Sequence, residues 1–536
     1  MKNQPTSPKY ATGHEELMAI ATALQLSVEF PPAVIAEAEA WVKAPQVEDP
    51  SLSDFTTVPF VTIDGPHSKD LDQAIHVAQT NEGYLVEYAI ADAAFYVRPG
   101  SALFAEAMRR GASYYFPGFS VPMLPRSLSE GVISLNADGV RRALVFHHRL
   151  DSQGQLQGTT LHRARVRSRA RLSFAAVQAL VDHPESSPLK GAEFERSLAL
   201  LREVGRKRMA IAASRGLVRY RREEVQVELD GRGLSFAVME VVRDEVELWN
   251  EQISLLCNAE GGRLLRDHPS PSVQPIYRVH AGPDPLRLES LARLTERVAA
   301  VHGLPAKPWV WSPATTALAD YLGALPSTHS TLTLEGRLAR ALSRQAVMVS
   351  LRSEYSTEPG PHVGVGAEPY ARFSAPMREM VGVFLHKEAI ELLTGAHPPP
   401  EEDEVLRAEV VRVANRAREL QRKVQDLSNE VVLNRLFAPE LTKAPKARTR
   451  FRGTVMGLAG TKVHVRLDAP PLDVKLQLFD LAPFFKGAWL EVAEEGAVLR
   501  AKGTTEPLLK LADSLELTVH KRDEANRRWI FALPRS

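Results

Sequence analysis

Residues Thr62 to Ile75 read TIDGPHSKDLDQAI. The stretch follows an apolar run, VPFVTI, and breaks at Gly65-Pro66. Asp64, Asp70 and Asp72 fall within nine positions. Carboxylates that close repel each other unless a cation gathers them. Asp70 and Asp72 are one residue apart, so in extended chain both point the same way. Asp64 ends a strand-like run, and GPHSK is long enough to fold its carboxylate back towards the pair. Hard divalent cations such as Mg²⁺ favour such oxygen ligands. The spacing also suits a solvated Asx-rich loop, and it lacks the glycine and ligand pattern of an EF-hand. His67 reads as a loop residue. The pattern alone leaves both readings of the stretch open.

The chain has 536 residues, enough for two to four domains. Hydrophobic residues make up 44% and charged residues 24%, which fits a globular protein with a sizeable core. The 66 basic and 65 acidic residues give a formal net charge of +1, so overall charge carries no nucleic-acid signature. A basic channel remains compatible with that balance. Cys257 is the single cysteine. It excludes an internal disulfide and a cysteine zinc site, and it reads as packing. The start, MKNQPTSPKYATGHEE, has no apolar signal-peptide core, and no run of ~18 apolar residues occurs. A cytoplasmic protein without a membrane span is expected.

Outward from the acidic stretch, residues 1–50 read as a short helical segment, with GHEELMAIATALQL and PPAVIAEAEAWVKA as the helices. Residues 51–392 read as one large mixed α+β domain. Its strands include VPFVTI, LVEYAIADAAFYV and ALVFHHRLD, and its helices SFAAVQALVDH, EFERSLALLREVGRKRMAIAAS and VELWNEQISLLCNAEGGRLL. Residues 393–445 form a helical connector that ends in the basic linker KAPKARTR. Residues 446–536 hold six short strand-like runs, RFRGTVMGL, TKVHVRL, DVKLQLF, AWLEVAE, SLELTVHKRD and RRWIFAL. They point to a small five-stranded barrel of the OB kind.

TIDGPHSKDLDQAI resembles the signature of the RNase II family catalytic domain, TID followed by D-x-D-D. The resemblance continues through IADAAFYVRPGSALFAEAMRRGASYYFPGFSVPMLPRSLSEGVISL, VRSRARLSFAAVQ, NEQISLLCNAE, YRVHAGPDPLRL and YSTEPGPHVGVGAEPYARFSAPMR, in the family's order from about residue 55 to 390. The last barrel resembles the S1 domain that closes such proteins. The resemblance implies a hydrolytic 3′→5′ exoribonuclease that threads single-stranded RNA into a channel and releases nucleoside 5′-monophosphates. It implies one or two Mg²⁺ ions, with Mn²⁺ as a substitute, no obligate protein partner and a monomer.

Carried over by position, Asp64, Asp70 and Asp72 would hold the metal and its attacking water. Tyr115 would stack on the 3′-terminal base, which serves any sequence. Glu251 would accept from a ribose 2′-OH, which separates RNA from DNA. Arg378 would approach the scissile phosphate, where its planar fork suits developing charge. Phe174 stands where the family's namesake enzyme has a channel tyrosine. Arg219 stands where that enzyme has a second stacking phenylalanine, and a guanidinium can also stack.

Three departures accompany the likeness. Gln73 replaces the last aspartate of the cluster. As a neutral ligand it would weaken a second ion, so Gln73→Asp is expected to raise activity at low Mg²⁺. SAPMREMVG has Met380 and Gly382 where the family has a tyrosine and an aspartate. The 50 residues ahead of the catalytic blocks are too few for the family's two cold-shock barrels. RNA grip is then expected from the S1 barrel, KAPKARTR and the N-terminal helices. Gln73 and the altered SAPMREMVG segment also motivate an alternative, a catalytically impaired RNA-binding protein on the same scaffold.

Overall fold

The strand-like runs on either side of the acidic loop close into a five-stranded barrel. The computed structural model describes residues 12–137, 139–214, 224–270, 272–326, 331–349, 352–396 and 399–534. The strands up to the barrel's closure are β1 (Ser53–Asp64), β2 (Gln73–Gln79), β3 (Gly83–Ala91), the hairpin β4 (Tyr114–Phe116) and β5 (Phe119–Val121), β6 (Val140–Asp151) and β7 (Leu156–Ser173). The barrel order is β1-β2-β3-β6-β7. It closes where β7 runs parallel beside β1, with Asp64 opposite Ser173.

Local chemistry fixes the strand ends. Pro59 lies inside β1 with no N–H to give, and the β1–β7 register shifts between Phe55 and Phe60. Gly83 begins β3 where Leu150 O would stand 2.2 Å from a Cβ, so any side chain there would clash with β6. Asp92 stops β3. Its Oδ1 accepts from Phe95 N, and the run read as one strand turns into the short helix Ala93–Tyr96.

Helices Glu195–Ser214, Glu245–Arg266 and Met380–Thr394 cover the barrel. Val204, Trp249, Ile253 and Phe384 share one apolar core with Val86, Tyr88 and Phe146. This double covering explains why the barrel strands are apolar on both faces rather than alternating. A second core joins helices Pro285–Val301 and Leu334–Val349 to Met456, Val498 and Leu511 of the C-terminal region.

The C-terminal region differs in detail from the expected barrel. Strands Phe451–Ala459, Lys462–Leu467, Asp473–Gln477, Ser514–Asp523 and Arg528–Ala532 form a five-stranded antiparallel sheet. The run AWLEVAE instead joins a three-stranded sheet with Val498–Ala501 and Pro507–Lys510, two strands too short to show a pattern. The connector is one helix, Pro400–Thr442, of 43 residues. KAPKARTR folds back rather than hanging free. Arg448 donates to Val519 O and His520 O at 2.7 and 2.8 Å, and Arg450 pairs with Glu516 at 3.0 Å.

At the N-terminal end, helix Gly13–Ala23 starts with a capping box between Thr12 and Glu15, and helix Pro32–Lys43 follows. Leu17, Ala21 and Leu26 pack on Ala417, Val424 and Val431 of the long helix and on Tyr114, Phe116 and Val121 of the β4–β5 hairpin. Two helices therefore support the hairpin that carries Tyr115. Among the described residues, no helix is long and apolar enough to cross a membrane.

Candidate active site

The acidic loop is pinned from below. Ser134 Oγ accepts from Leu71 N at 3.0 Å and donates to Lys69 O at 2.8 Å, while Leu135 N donates to Leu71 O at 3.0 Å. Leu71 itself is buried in the apolar interior. With Leu71 turned inward, Asp70 and Asp72 face the opposite side together. Asp64, at the end of β1, accepts from Gly65 N at 2.7 Å and Ser68 Oγ at 2.8 Å, so its carboxylate folds back over the GPHSK turn.

Asp72 is 2% exposed. Its Oδ1 accepts from Met377 N at 3.1 Å and its Oδ2 from Arg378 Nε at 2.7 Å. Burial pushes its pKa up to about 6, against the pull of Arg378 and with a further push from Asp70. Burial likewise raises Asp70, while Arg378 opposes it and Asp64 and Glu130 add repulsion. Three carboxylates thus share one guanidinium. Oxygen-only donors, with Asp70 and Asp72 made reluctant to ionise by burial, fit a hard divalent cation, whose charge would relieve those two.

Tyr115 sits at the centre of β4 with its side chain 55% exposed. Its phenol lies within electrostatic reach of Arg378, Asp70 and Asp72. The hairpin is tied to the arginine by backbone: Ser113 N donates to Arg378 O at 2.9 Å, and Met380 N to Gly111 O at 3.0 Å. Glu379, next to Arg378, is held by Arg372 at 2.7 Å and by the Tyr355 hydroxyl. Arg378, Tyr115 and the aspartates are therefore brought together.

Gln73 is placed elsewhere. It begins β2, but its side chain leaves the carboxylates. Its Nε2 donates to Ser374 O, and its Oε1 accepts from Tyr88 OH at 2.5 Å with Ser254 Oγ at 3.5 Å. The amide oxygen expected as a metal ligand is spent on protein donors. The SAPMREMVG departures have a packing reason. Met380 is fully buried, and a Cβ on Gly382 would lie 2.6 Å from Pro376 Cα, so the turn before Arg378 occupies the place of an aspartate side chain.

The remaining candidates are mixed. Glu251 lies on helix Glu245–Arg266, half-exposed, and pairs with Arg243 at 3.2 Å. It is one turn from Ser254, on the face that meets Gln73. Phe174 opens helix Phe174–Asp182 just beyond Ser173, the β7 partner of Asp64, and is partly buried against the core. Arg219 lies outside the described residues. His67 is exposed. Cys257 is fully buried, and burial raises its thiol pKa.

Asn258 was not marked by sequence reasoning. Its Oδ1 accepts from Phe373 N and Ser374 N at 2.8 and 3.0 Å, and its Nδ2 donates to Tyr370 OH and Ser374 Oγ at 3.0 Å each. Glu251, Ser254 and Asn258 recur at i, i+3 and i+7 on one helix face, and that spacing was the available signal.

Among the described residues, one trio of acids has carboxylate oxygens all within 4.8 Å, and it is Glu388, Glu391 and Asp403. Lys387 Nζ already fills it, at 2.9, 2.9 and 2.6 Å. That cluster is an ion network, and the carboxylate oxygens of Asp64, Asp70 and Asp72 do not all lie within 4.8 Å of one another.

The barrel, with its aspartates, arginine and tyrosine, lies within a region that matches the RNB domain of RNase II family exoribonucleases. The chain belongs to that family: the RNB domain model matches residues 52–395. Exoribonuclease 2 of Klebsiella pneumoniae (strain 342) is 28% identical over 473 residues, covering 87% of this chain and 68% of that protein. Mycoplasma genitalium RNase R, solved in complex with ribose methylated single-stranded RNA, superposes with a TM-score of 0.83 at 22% identity, over 98% of this chain and 78% of that one. Yeast Ssd1, a pseudonuclease, superposes at 0.61 with 14% identity, over 82% of this chain and 51% of that one.

Proposed function

We propose that the protein is a hydrolytic 3′→5′ exoribonuclease that degrades single-stranded RNA to nucleoside 5′-monophosphates with Mg²⁺. The observation that carries this reading is the convergence of Asp72, Arg378 and the exposed Tyr115 ring on one side of the acidic loop. The exoribonuclease relatives and the RNA-bound neighbour support it.

Asp64, Asp70 and Asp72 would hold the cation. A bound Mg²⁺ supplies Lewis acidity and a water of lowered pKa. The Tyr115 face takes the terminal base and sets the depth of the strand. Glu251 accepts from a ribose hydroxyl and selects RNA. Phe174 lines the approach, and the C-terminal sheets act as an S1-type module gripping incoming RNA, together with exposed basic residues of the linker. Arg378 directs its fork to the non-bridging oxygens of the scissile phosphate. Water oxygen bonds to phosphorus, the bond to the preceding 3′-oxygen breaks, and that oxygen takes the proton. The terminal nucleotide leaves with its 5′-phosphate.

A second reading, an impaired nuclease that still binds RNA, is favoured by one observation: the Gln73 amide faces away from the carboxylates. Incubation with 5′-labelled poly(A) separates the two. The enzyme reading expects a shortening ladder in Mg²⁺, none in EDTA and none with Asp72→Asn. Binding without shortening at any Mg²⁺ or Mn²⁺ concentration would sink it.

A further inference from the structure

Asp72 and Gln73 are consecutive, and they hold the two ends of one short segment. Asp72 accepts from Met377 N and Arg378 Nε. Gln73 Nε2 donates to the carbonyl of Ser374, four residues earlier. Ser374 is gripped from its other side by Asn258, through N and Oγ. Gly382 lets the intervening Pro376 turn pack tightly. The segment 374–378, which ends in the arginine, is therefore clamped between β2 and helix Glu245–Arg266.

The chemistry of the partners suits an amide at position 73. A carbonyl oxygen only accepts, so the group facing Ser374 O must donate. Tyr88 OH faces the other half of the side chain, and its burial raises its pKa and keeps it a proton donor. One group must donate on one side and accept on the other, which an ionised carboxylate cannot do and a carboxylic acid does only while it keeps its proton. An aspartate would also be one methylene shorter and would set negative charge against the Ser374 carbonyl. A cation at Gln73 Oε1 would have to compete with the Tyr88 hydroxyl at 2.5 Å or with Ser254 Oγ at 3.5 Å.

We propose that Gln73 is a positioning residue rather than a metal ligand: with Asp72 it clamps the 374–378 segment and sets Arg378 over a site that holds a single divalent cation. Arg378 supplies the second positive charge at the phosphate, in place of a second ion. This rests on the exonuclease reading of the same site. It reverses the expectation that Gln73→Asp improves the enzyme.

The test uses the full chain, with Mn²⁺ as the probe. Bound Mn²⁺ is counted by electron paramagnetic resonance, alone and with a ribose-methylated RNA oligonucleotide. RNA shortening is followed separately on unmodified substrate. Wild type is expected to bind one ion. Gln73→Asp is expected to gain none, to lose about tenfold or more in kcat, and to keep KM within about threefold, because the loss is one of alignment rather than RNA grip. Tyr88→Phe removes the donor to Oε1 and the Tyr88–Ser254 hydroxyl contact, and leaves the Gln73 amide in place. It is expected to lower kcat several-fold with the ion count unchanged, and it keeps the test decisive should Gln73→Asp fail to fold. Two ions in wild type, or a Gln73→Asp protein that gains an ion or works faster at low Mg²⁺, would overturn the proposal. If wild type binds its ion but never shortens RNA, the exonuclease reading fails, while the ion count still decides the role of Gln73.

Discussion

Replacing Asn258 by alanine tests how the site is held together. Asn258 is 1% exposed and saturates its amide with four hydrogen bonds. Alanine strands two backbone donors, Phe373 N and Ser374 N, although Phe373 N keeps a bond to Ala371 O at 3.1 Å. It also leaves two hydroxyls, on Tyr370 and Ser374, without their donor. A buried donor left unpaired costs about 1–3 kcal/mol. One fully stranded N–H, a weaker loss at Phe373 and a small cavity sum to roughly 2–5 kcal/mol. A domain of 150–250 residues shifts by about 2–4 °C per kcal/mol and a larger one by less, so at about 1–2 °C per kcal/mol the melting point should drop by roughly 2–10 °C.

The catalytic consequence is separable from that loss. Ser374 anchors the segment that delivers Arg378 to Asp72, so kcat should fall about tenfold or more even well below the new melting point. Asn258→Asp offers the contrast. Its carboxylate still accepts from both backbone N–H groups, and the Tyr370 and Ser374 hydroxyls can turn to donate to it. It should recover most of the melting point and most of the kcat. Calorimetry and single-turnover cleavage of labelled RNA measure the two effects. An alanine variant with unchanged kcat, whatever its stability, would refute the clamp that links helix Glu245–Arg266 to Arg378.

Tyr115→Ala should weaken RNA binding by about 1–3 kcal/mol, with Tyr115→Phe close to wild type, measured by titration in the Asp72→Asn background. Loss of affinity in the phenylalanine variant would mean the hydroxyl, not the ring, carries the contact. Arg378→Lys keeps the charge but not the planar fork, so kcat should fall about 10²-fold or more with a smaller change in KM; a raised KM with kcat unchanged would assign Arg378 to RNA grip. In EDTA, Asp72 gives stability a defined pH dependence. Its folded pKa of about 6 lies above the ordinary ~3.9, so the folded state binds more protons between those values. The contribution is fully present below about pH 4 and is lost as pH rises through about 6, to the extent of roughly 3 kcal/mol. Asp72→Asn should remove this component of the denaturation profile, and an unchanged slope would contradict it. Lys387→Met should destabilise by about 3–5 kcal/mol near neutral pH, because it leaves Glu388, Glu391 and Asp403 buried without their cation. The deficit should shrink on acidification, and a constant deficit would show that lost packing dominates.

What the sequence made legible follows from which forces act locally. The D-x-D spacing and the strand before it are short-range patterns, whereas Tyr115 and Arg378 were marked only through the family resemblance, and the structure places both near Asp72. The side chain at position 73 was not legible in the same way. Its neighbours in the chain are carboxylates, but its partners lie 15, 181 and 301 residues away. A glutamine read by spacing looks like a weakened acid, whereas in three dimensions it is an amide chosen because one partner donates and the other accepts. The same holds for Gly382, which reads as a lost aspartate until Pro376 is seen to occupy the space. The short strands Val498–Ala501 and Pro507–Lys510 were missed because four residues carry too few alternations to register. Departures from a family pattern therefore divide by the distance of their partners. Where the compensating group is remote in sequence, as with Gln73 and Ser374, a substitution that looks like decay can be a rewired support, and only the donor and acceptor inventory at that position tells the two apart.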